Sequence, residues 1–285
     1  MKKNQAQSAE HYTYQWGGKI AEFLRTSEAA RVTPGKQLGW PDLFGEIRQY
    51  GGRVYDAGCG FGAVAEEVRA PGVQYLGVDI HDSLGKIPSY PNVEFRKWDM
   101  TTPIGETFDY VICRAAAHHT PNPQATIRTL AQALVPGGVL AFSVYTRKGL
   151  IRETVDGGLR EVIKPLPIED AMQLAQQFAK LGRDLRKAGM VQITEDLPGL
   201  GITAGEYQVQ DLIYNHILKC WYNENWGLEY SAIVNFDWYH PEYAWTFTQD
   251  EAISLAENVG LEVRKVISIP AQHYVEAVRS CPEGK

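Results

Sequence analysis

Three glycines at alternate positions behind a short apolar run and an acid, Val54-Tyr-Asp56-Ala-Gly58-Cys-Gly60-Phe-Gly62, constrain this 285-residue chain more than any other stretch. Glycine adopts the positive φ angles and allows the close backbone approach that a tight strand-to-helix turn demands. A helix opening just beyond, near Ala63, offers unpaired N–H groups to a polar ligand. The stretch therefore predicts a strand, a turn and a helix with a nucleotide-like molecule over the turn. Two readings stay open at the turn itself. Gly58-x-Gly60-x-x-Ala63 also satisfies the dinucleotide-binding fingerprint, with Asp79 lying where a ribose-binding acid is expected. The third glycine and Asp56 favour a different, cationic cofactor, because a carboxylate at the strand end repels a pyrophosphate and attracts an ammonium.

Around this turn the chain alternates short apolar or β-branched runs with helical stretches, the pattern of a parallel sheet with helices on both faces. Strands are expected over residues 53–57, 74–79, 93–98, 110–114 and 139–145, short and bounded by turn residues as doubly buried strands are. A helix over 122–134 is expected to stop at Val135-Pro-Gly-Gly138, which turns the chain into the fifth strand. The alternation then lapses for about a hundred residues and resumes with a helix over 249–259, a Gly260 cap and strands over 262–268 and 273–278. This predicts an α/β core over 51–146 and 246–285, a mainly helical insertion over 147–245 after the fifth strand, and an N-terminal helical segment over 1–50 above the ligand site. In the insertion, Ile168, Met172, Ala175, Phe178, Ala179 and Leu185 recur at helical spacing, as do Tyr207, Ile213, Ile217 and Trp221, while 165–167 and 197–201 read as turns. In the first fifty residues, helical patterning falls around 21–31 and 41–50.

Charge and composition narrow the function classes. With 28 Lys+Arg against 34 Asp+Glu the net charge is −6, so no bulk positive field exists to gather nucleic acid or anionic lipid. The hydrophobic share of 44% places the chain far from disordered compositions. No run of about 18 apolar residues occurs, and nothing apolar follows the two N-terminal lysines. Cys59, Cys113, Cys220 and Cys281 lie far apart without a C-x-x-C pair, which argues against a disulfide framework or structural zinc and for a reduced, cytoplasmic setting with no metal site.

The pattern D-x-G-x-G-x-G from Asp56, with Asp79 closing the second strand and Asp99 following the third, resembles the class I S-adenosylmethionine-dependent methyltransferases. The resemblance continues through Phe108-Asp-Tyr-Val-Ile112, His118-His-Thr-Pro-Asn122 and Leu134-Val-Pro-Gly-Gly138, covering about 53–145 and 248–278. It implies a Rossmann-like, seven-stranded, mostly parallel α/β sheet and S-adenosylmethionine as cofactor. Asp56, Gly58, Cys59, Gly60 and Gly62 would hold the methionine portion. Asp79, with Ile80 beside it, would take the ribose hydroxyls, two carboxylate oxygens matching two vicinal hydroxyls. Asp99 and Met100 would meet the adenine, and the backbone of Arg114 and Ala115 would lie under the sulfonium. Read without the resemblance, Asp99 is also an ordinary turn or capping acid. The segment His11-Tyr-Thr-Tyr-Gln-Trp16, with Tyr14 as the expected contact, would fold over the cofactor or stand off as a surface arm.

Methyl transfer from a sulfonium is an in-line displacement that depends on alignment and dryness, with a base needed chiefly for hydroxyl acceptors. His118 and His119 follow the fourth strand, at the sheet edge where ligands of such folds collect. Either is a candidate base, with His118 favoured because His119 matches the loop-organising histidine of the resembled family. The insertion carries 12 aromatic residues in the 41 positions from Tyr207 to Phe247, far above the chain average of 11%. Trp221, Tyr222, Trp226, Trp238 and Tyr239 are its expected substrate contacts, as aromatic walls for a planar or apolar acceptor. The piece Asn235-Phe-Asp-Trp-Tyr-His-Pro-Glu-Tyr243 is similar to small-molecule methyltransferases of bacterial biosynthetic clusters. With 10 Lys+Arg and 13 Asp+Glu over 147–237, the insertion does not favour a nucleic acid. The expectation is an enzyme that moves a methyl group to an oxygen, nitrogen or carbon of a small molecule, without a membrane partner and with a homodimer left open. The alternatives are a cyclisation or alkyl transfer from the same cofactor, a NAD-dependent oxidoreductase, and a non-catalytic scaffold.

Overall fold

In the computed structural model the described residues are 3–17, 38–88 and 90–281. The chain divides into two compact units, Met1–Thr146 with Trp245–Lys285, and Arg147–Ala244. No helix among the described residues is long and apolar enough to cross a membrane.

The first unit is built on one sheet. Strands β1 (Gly52–Ala57), β2 (Val73–Asp79), β3 (Val93–Lys97), β4 (Phe108–Arg114), β5 (Leu134–Thr146), β9 (Leu261–Ser268) and β10 (Gln272–Arg279) lie in the order β3-β2-β1-β4-β5-β10-β9, and the two-residue β8 (Thr246–Phe247) pairs with β5. All pairings from β3 to β5 are parallel, and β10 runs antiparallel to both its neighbours. Strand order reverses between β1 and β4, so their carboxyl ends form the crevice where ligands of open α/β sheets bind. Helices cover both faces because alternate strand residues point oppositely. On one side Tyr55, Val78, Val111 and Phe142 pack with Ile127 and Leu130 of α4 (Pro123–Gln132) and Ala252 and Leu255 of α9 (Gln249–Glu257). On the other, Val54, Tyr110 and Ile112 pack with Trp40, Leu43 and Ile47 of α2 (Trp40–Tyr50) and with Val64 and Ala65 of α3 (Ala63–Glu67). The charged edge strand β3 is only half buried, which suits an unpaired edge.

The five expected central strands and the helix over 41–50 form. The expected helix over 21–31 lies outside the described residues. The helix expected over 122–134 ends at Gln132, because Leu134 already pairs with Phe108; the pairing then shifts register before Tyr110 meets Val139. Val135-Pro-Gly-Gly138 is thus a bulge inside a longer β5. Ahead of the sheet, α1 (Lys3–Gln15) carries the N-terminal aromatic segment.

The second unit contains α5 (Leu150–Ile163), α6 (Ile168–Lys187), a hairpin of β6 (Met190–Ile193) and β7 (Gly205–Gln208), α7 (Val209–His216) and α8 (Gly227–Tyr239). The first predicted stripe lies on α6, which buries Met172, Ala175 and Ala179. The second does not form one helix. Tyr207 belongs to β7, and α7 ends at His216, so Ile217 and Trp221 lie in the irregular stretch beyond it. Period alone could not show that a strand interrupts the apolar spacing.

Candidate active site

At the end of β1 the chain makes the turn its glycines predict. Gly58, Gly60 and Gly62 have φ of 81°, 53° and 82°, and a Cβ at Gly62 would stand 2.9 Å from the Phe95 ring. The N–H groups of Gly58 and Cys59 both donate to Val78 O, at 2.8 and 2.9 Å, which fastens the turn to β2. Asp79 closes the far side. Its Oδ2 accepts from Gly60 N at 2.9 Å and its Oδ1 from Ile80 N at 2.7 Å, so each oxygen is oriented by one backbone donor and keeps capacity for another.

Asp56 is 1% exposed and sits behind the turn. Its Oδ2 accepts from the Tyr75 hydroxyl, while Oδ1 is buried and meets no donor among the described residues. Burial pushes the carboxyl up to about 7, against the opposing pull of Tyr75 and of the Arg114 guanidinium. Arg114 is half buried at the end of β4, its guanidinium without a hydrogen bond to another described residue; burial lowers its pKa, and Asp56 and Glu67 work the other way. The glycine turn, a buried carboxylate with a free oxygen and an unanchored guanidinium can hold a group that carries both charges.

Two further residues fix this geometry. His81 is 1% exposed; its Nε2 reaches Gly60 O at 2.9 Å, and Nδ1 accepts from Ser83 N at 3.0 Å. The Nδ1 acceptor places the proton on Nε2, so His81 is a strut under the middle glycine. Gly77 pairs with Asp56 across the sheet, and a Cβ there would stand 3.0 Å from Tyr75 Cε1, so the bare Gly77 leaves room for the tyrosine to reach Asp56. Neither His81 nor Tyr75 stood out in the sequence. Tyr75 was readable only once β1 and β2 are placed in register.

The N-terminal segment does meet the turn, but through a different ring. Trp16 lies 3.4 Å from the position a Gly60 Cβ would take and 5.6 Å between centroids from Phe61, and Thr13 Oγ1 accepts from Asp82 N at 3.1 Å. Tyr14, the expected contact, is 39% exposed. Trp16 lies in the turn just past α1 and Tyr12 meets His119, both half buried, while His11 and Gln15 are 1% and 4% exposed.

The remaining expected residues also divide. Asp99 Oδ1 accepts from Thr101 N and Oγ1, at 2.9 and 2.7 Å, so this oxygen serves a turn. Met100 packs between Gly58 and Cys113, its sulfur 3.9 Å from the thiol. Ala115 takes an uncommon φ of 53°, and its N–H donates to Ser143 Oγ at 3.0 Å, so it offers a ligand only its carbonyl. His118 is fully buried with its ring 3.8 Å from that of Tyr145, whereas His119 is half exposed and meets Tyr12 edge-on at 5.8 Å. Of the two candidate bases, His119 thus lies nearer the surface and His118 within the fold. The Asn122 side chain caps α4.

Within the second unit, Trp221 and Tyr222 line a polar cavity of about 420 Å³ together with Gln210 and Tyr214, and Trp226 meets Trp221 edge-on at 5.1 Å. Trp238 and Tyr239 lie deeper in the same unit. They are 3% and 1% exposed and donate to Asp156, at 2.7 and 2.9 Å.

With this geometry in view, known proteins can be compared. The model of a methyltransferase-domain family matches residues 22–192. A ubiquinone biosynthesis O-methyltransferase of Nitrosospira multiformis is 29% identical over 188 residues, 62% of this chain and 76% of that one. The same-named protein of Thiobacillus denitrificans is 29% identical over 200 residues, 66% and 82% of the two chains. Among solved structures, magnesium protoporphyrin IX methyltransferase of Synechocystis PCC 6803 with bound SAH superposes with a TM-score of 0.50 at 16% identity, covering 97% of this chain and all of that one. A complex of DhpI with SAH gives 0.51 at 13% identity and 98% coverage of both. At these identities the structures report the shared fold.

Proposed function

The chain belongs to the methyltransferase-domain family, and from that premise we propose how its residues carry out S-adenosylmethionine-dependent methylation of a small molecule. When bound, S-adenosylmethionine supplies a methyl group on a positively charged sulfur. The observation that carries the reading is the buried, unpartnered Oδ1 of Asp56 behind the glycine turn. It suits the ammonium of a methionine portion and opposes the pyrophosphate of a dinucleotide, which sets the oxidoreductase alternative aside.

In this reading Asp56 accepts from the ammonium and Arg114 pairs with the carboxylate of the same portion, a charge-assisted pair at each end. Gly58, Cys59, Gly60 and Gly62 let the backbone approach the ligand. Asp79 takes the two ribose hydroxyls with the lone pairs its backbone donors leave. Ile80, Asp99 and Met100 border the adenine, and Trp16 keeps water from the turn. His119 removes the proton of an acceptor hydroxyl; the relatives named as O-methyltransferases favour oxygen as the acceptor atom. The inserted unit selects the acceptor. Support for this is that the chain leaves the sheet at Thr146 and returns at Trp245, beside the carboxyl ends that bear Asp56 and Arg114. The acidic balance of the insertion supports a small acceptor over nucleic acid, and the four unpaired cysteines fit a cytoplasmic enzyme.

The test is calorimetric titration of the full chain with S-adenosylhomocysteine (SAH) and, separately, with NADH. Micromolar binding of SAH alone is expected, and binding of NADH alone would overturn the reading. Release of SAH rather than methylthioadenosine during turnover separates methyl transfer from cyclisation or alkyl transfer.

A further inference from the structure

The second unit buries two cations, Arg152 and Lys219, close to the same pair of aromatic rings. Arg152 and Asp156 of α5 are each 1% exposed and joined by a 2.7 Å bond from Arg152 Nε to Asp156 Oδ2. Asp156 is otherwise committed: the Trp238 indole donates to the same oxygen at 2.7 Å and the Tyr239 hydroxyl to the other at 2.9 Å. Arg152 Nη1 remains, buried and without an acceptor among the described residues. A second cation shares its surroundings. Lys219 is 5% exposed, its Nζ lying 4.4 Å from the Trp238 ring and 5.9 Å from the Tyr214 ring. The Arg152 guanidinium lies 5.4 Å from each of the same two rings. No described residue accepts a hydrogen bond from the Lys219 ammonium.

Ring faces attract a cation but do not accept its hydrogen bonds as an oxygen does. A buried N–H without a partner carries its full desolvation penalty, and a buried charge without a counter-charge carries a larger one. Asp156 is taken up by Arg152, Trp238 and Tyr239, so Arg152 Nη1 keeps no acceptor and no carboxylate among the described residues bonds the Lys219 ammonium beside it. The lysine responds as such a site would: burial and the nearby Arg152 push it down to about 7, while Asp156 and Asp237 pull the other way.

We propose that Arg152 Nη1 and Lys219 Nζ form an oxyanion-binding site inside the inserted unit, which holds a carboxylate or phosphate group of a small molecule. That this molecule is the methyl acceptor rests on the methyltransferase reading above; the anion site itself does not. Both cations lie over the Tyr214 and Trp238 rings, which would form the apolar side of the site.

The test is calorimetry on the full chain at constant ionic strength with benzoate, inorganic phosphate and the uncharged benzamide. Benzoate or phosphate is expected to bind and benzamide is not; the tighter anion tells which oxyanion the site takes. Lys219→Met should weaken the tighter anion at least tenfold, and Lys219→Arg should keep it within about threefold. At pH 8 binding should take up a proton, read as an enthalpy difference between buffers of different ionisation enthalpy. The groups around Lys219 that set this are Arg152 and Asp156 of α5, Asp237 of α8, and Lys148. Binding of neither anion, or anion binding unchanged in Lys219→Met, overturns the proposal. SAH titration of the same samples keeps the two readings apart. SAH binding without anion binding refutes the site alone, and anion binding without SAH binding refutes the cofactor assignment alone.

Discussion

Replacing Asp56 by Asn should make the protein more stable and worse at binding its cofactor. The folded carboxyl is raised from an ordinary value of 3.8 to about 7, chiefly by burial. At about 1.4 kcal/mol per pH unit, holding it ionised costs on the order of 4 kcal/mol. The sign follows from the raised pKa. The penalty is absent below pH 4, grows as pH rises toward 7, and is complete above it. Asn is neutral throughout and still accepts from Tyr75, while its new amide donors, left unsatisfied, give back about 1–3 kcal/mol. The net gain at pH 8 is then about 2 kcal/mol, or about 5 °C in melting temperature for a chain of this size. Scanning calorimetry at pH 8 and pH 5 should show the gain at the first and little of it at the second. SAH affinity at pH 8 should fall about 10–100-fold, the loss of one charge-assisted bond. In the wild type, that affinity should decline by up to tenfold per pH unit below about 7 as Asp56 takes a proton. An Asn variant that melts no higher than the wild type at pH 8 and binds SAH as tightly would refute the role given to this carboxylate.

The other predictions concern neighbouring groups. Asp79→Ala should weaken SAH at least a hundredfold in titration while circular dichroism stays unchanged; wild-type affinity would remove it from the ribose site. His119→Ala should lower kcat on a hydroxyl acceptor about 10²-fold or more with SAH affinity kept, whereas His118→Ala, which empties a fully buried position, should mainly lower the melting temperature; the opposite pattern in steady-state kinetics and melting would restore His118 as the base. His81→Phe removes the strut under Gly60 and should raise the Kd for SAH about tenfold, with a smaller effect on kcat at saturation; an unchanged Kd would show that the turn holds itself.

The sheet was legible in the sequence because its signals are local. Apolar runs closed by Asp56, Asp79 and Arg114 announce strands whose ends share an edge, and glycines are needed where φ turns positive. What escaped depends on the third dimension. Tyr75 reaches Asp56 only because Gly77 lies bare between them, and His81 acts on a glycine 21 residues away. Trp16 rather than Tyr14 covers the turn because of the phase at which α1 arrives. The aromatic density after Tyr207 marked Trp221, Tyr222, Trp226, Trp238 and Tyr239 as candidate pocket walls. Density does not tell where the polar atoms of Trp238 and Tyr239 go: a buried indole N–H and phenol must find an acceptor, and Asp156 is theirs. No pattern of spacing ties Asp156 to Trp238, 82 positions later.

The pairing of β8 with β5, Tyr145 opposite Thr246 and Thr146 opposite Phe247, has a consequence for how such chains diversify. About a hundred residues leave and return across one strand spacing, about 4.8 Å. By polymer statistics, closing a loop of that length costs only about 3 kcal/mol more than closing a five-residue turn, and a self-folding insert reduces the difference further. The return point is anchored by bonds from Trp245 to the carbonyls of His118 and Thr120, at 3.0 and 3.1 Å, so the doorway stays fixed whatever hangs from it. Genes could therefore exchange the module at this doorway wholesale, changing what is modified while the donor machinery is inherited intact. A chimera that joins Thr146 to Trp245 through a short glycine–serine bridge should still fold around the sheet.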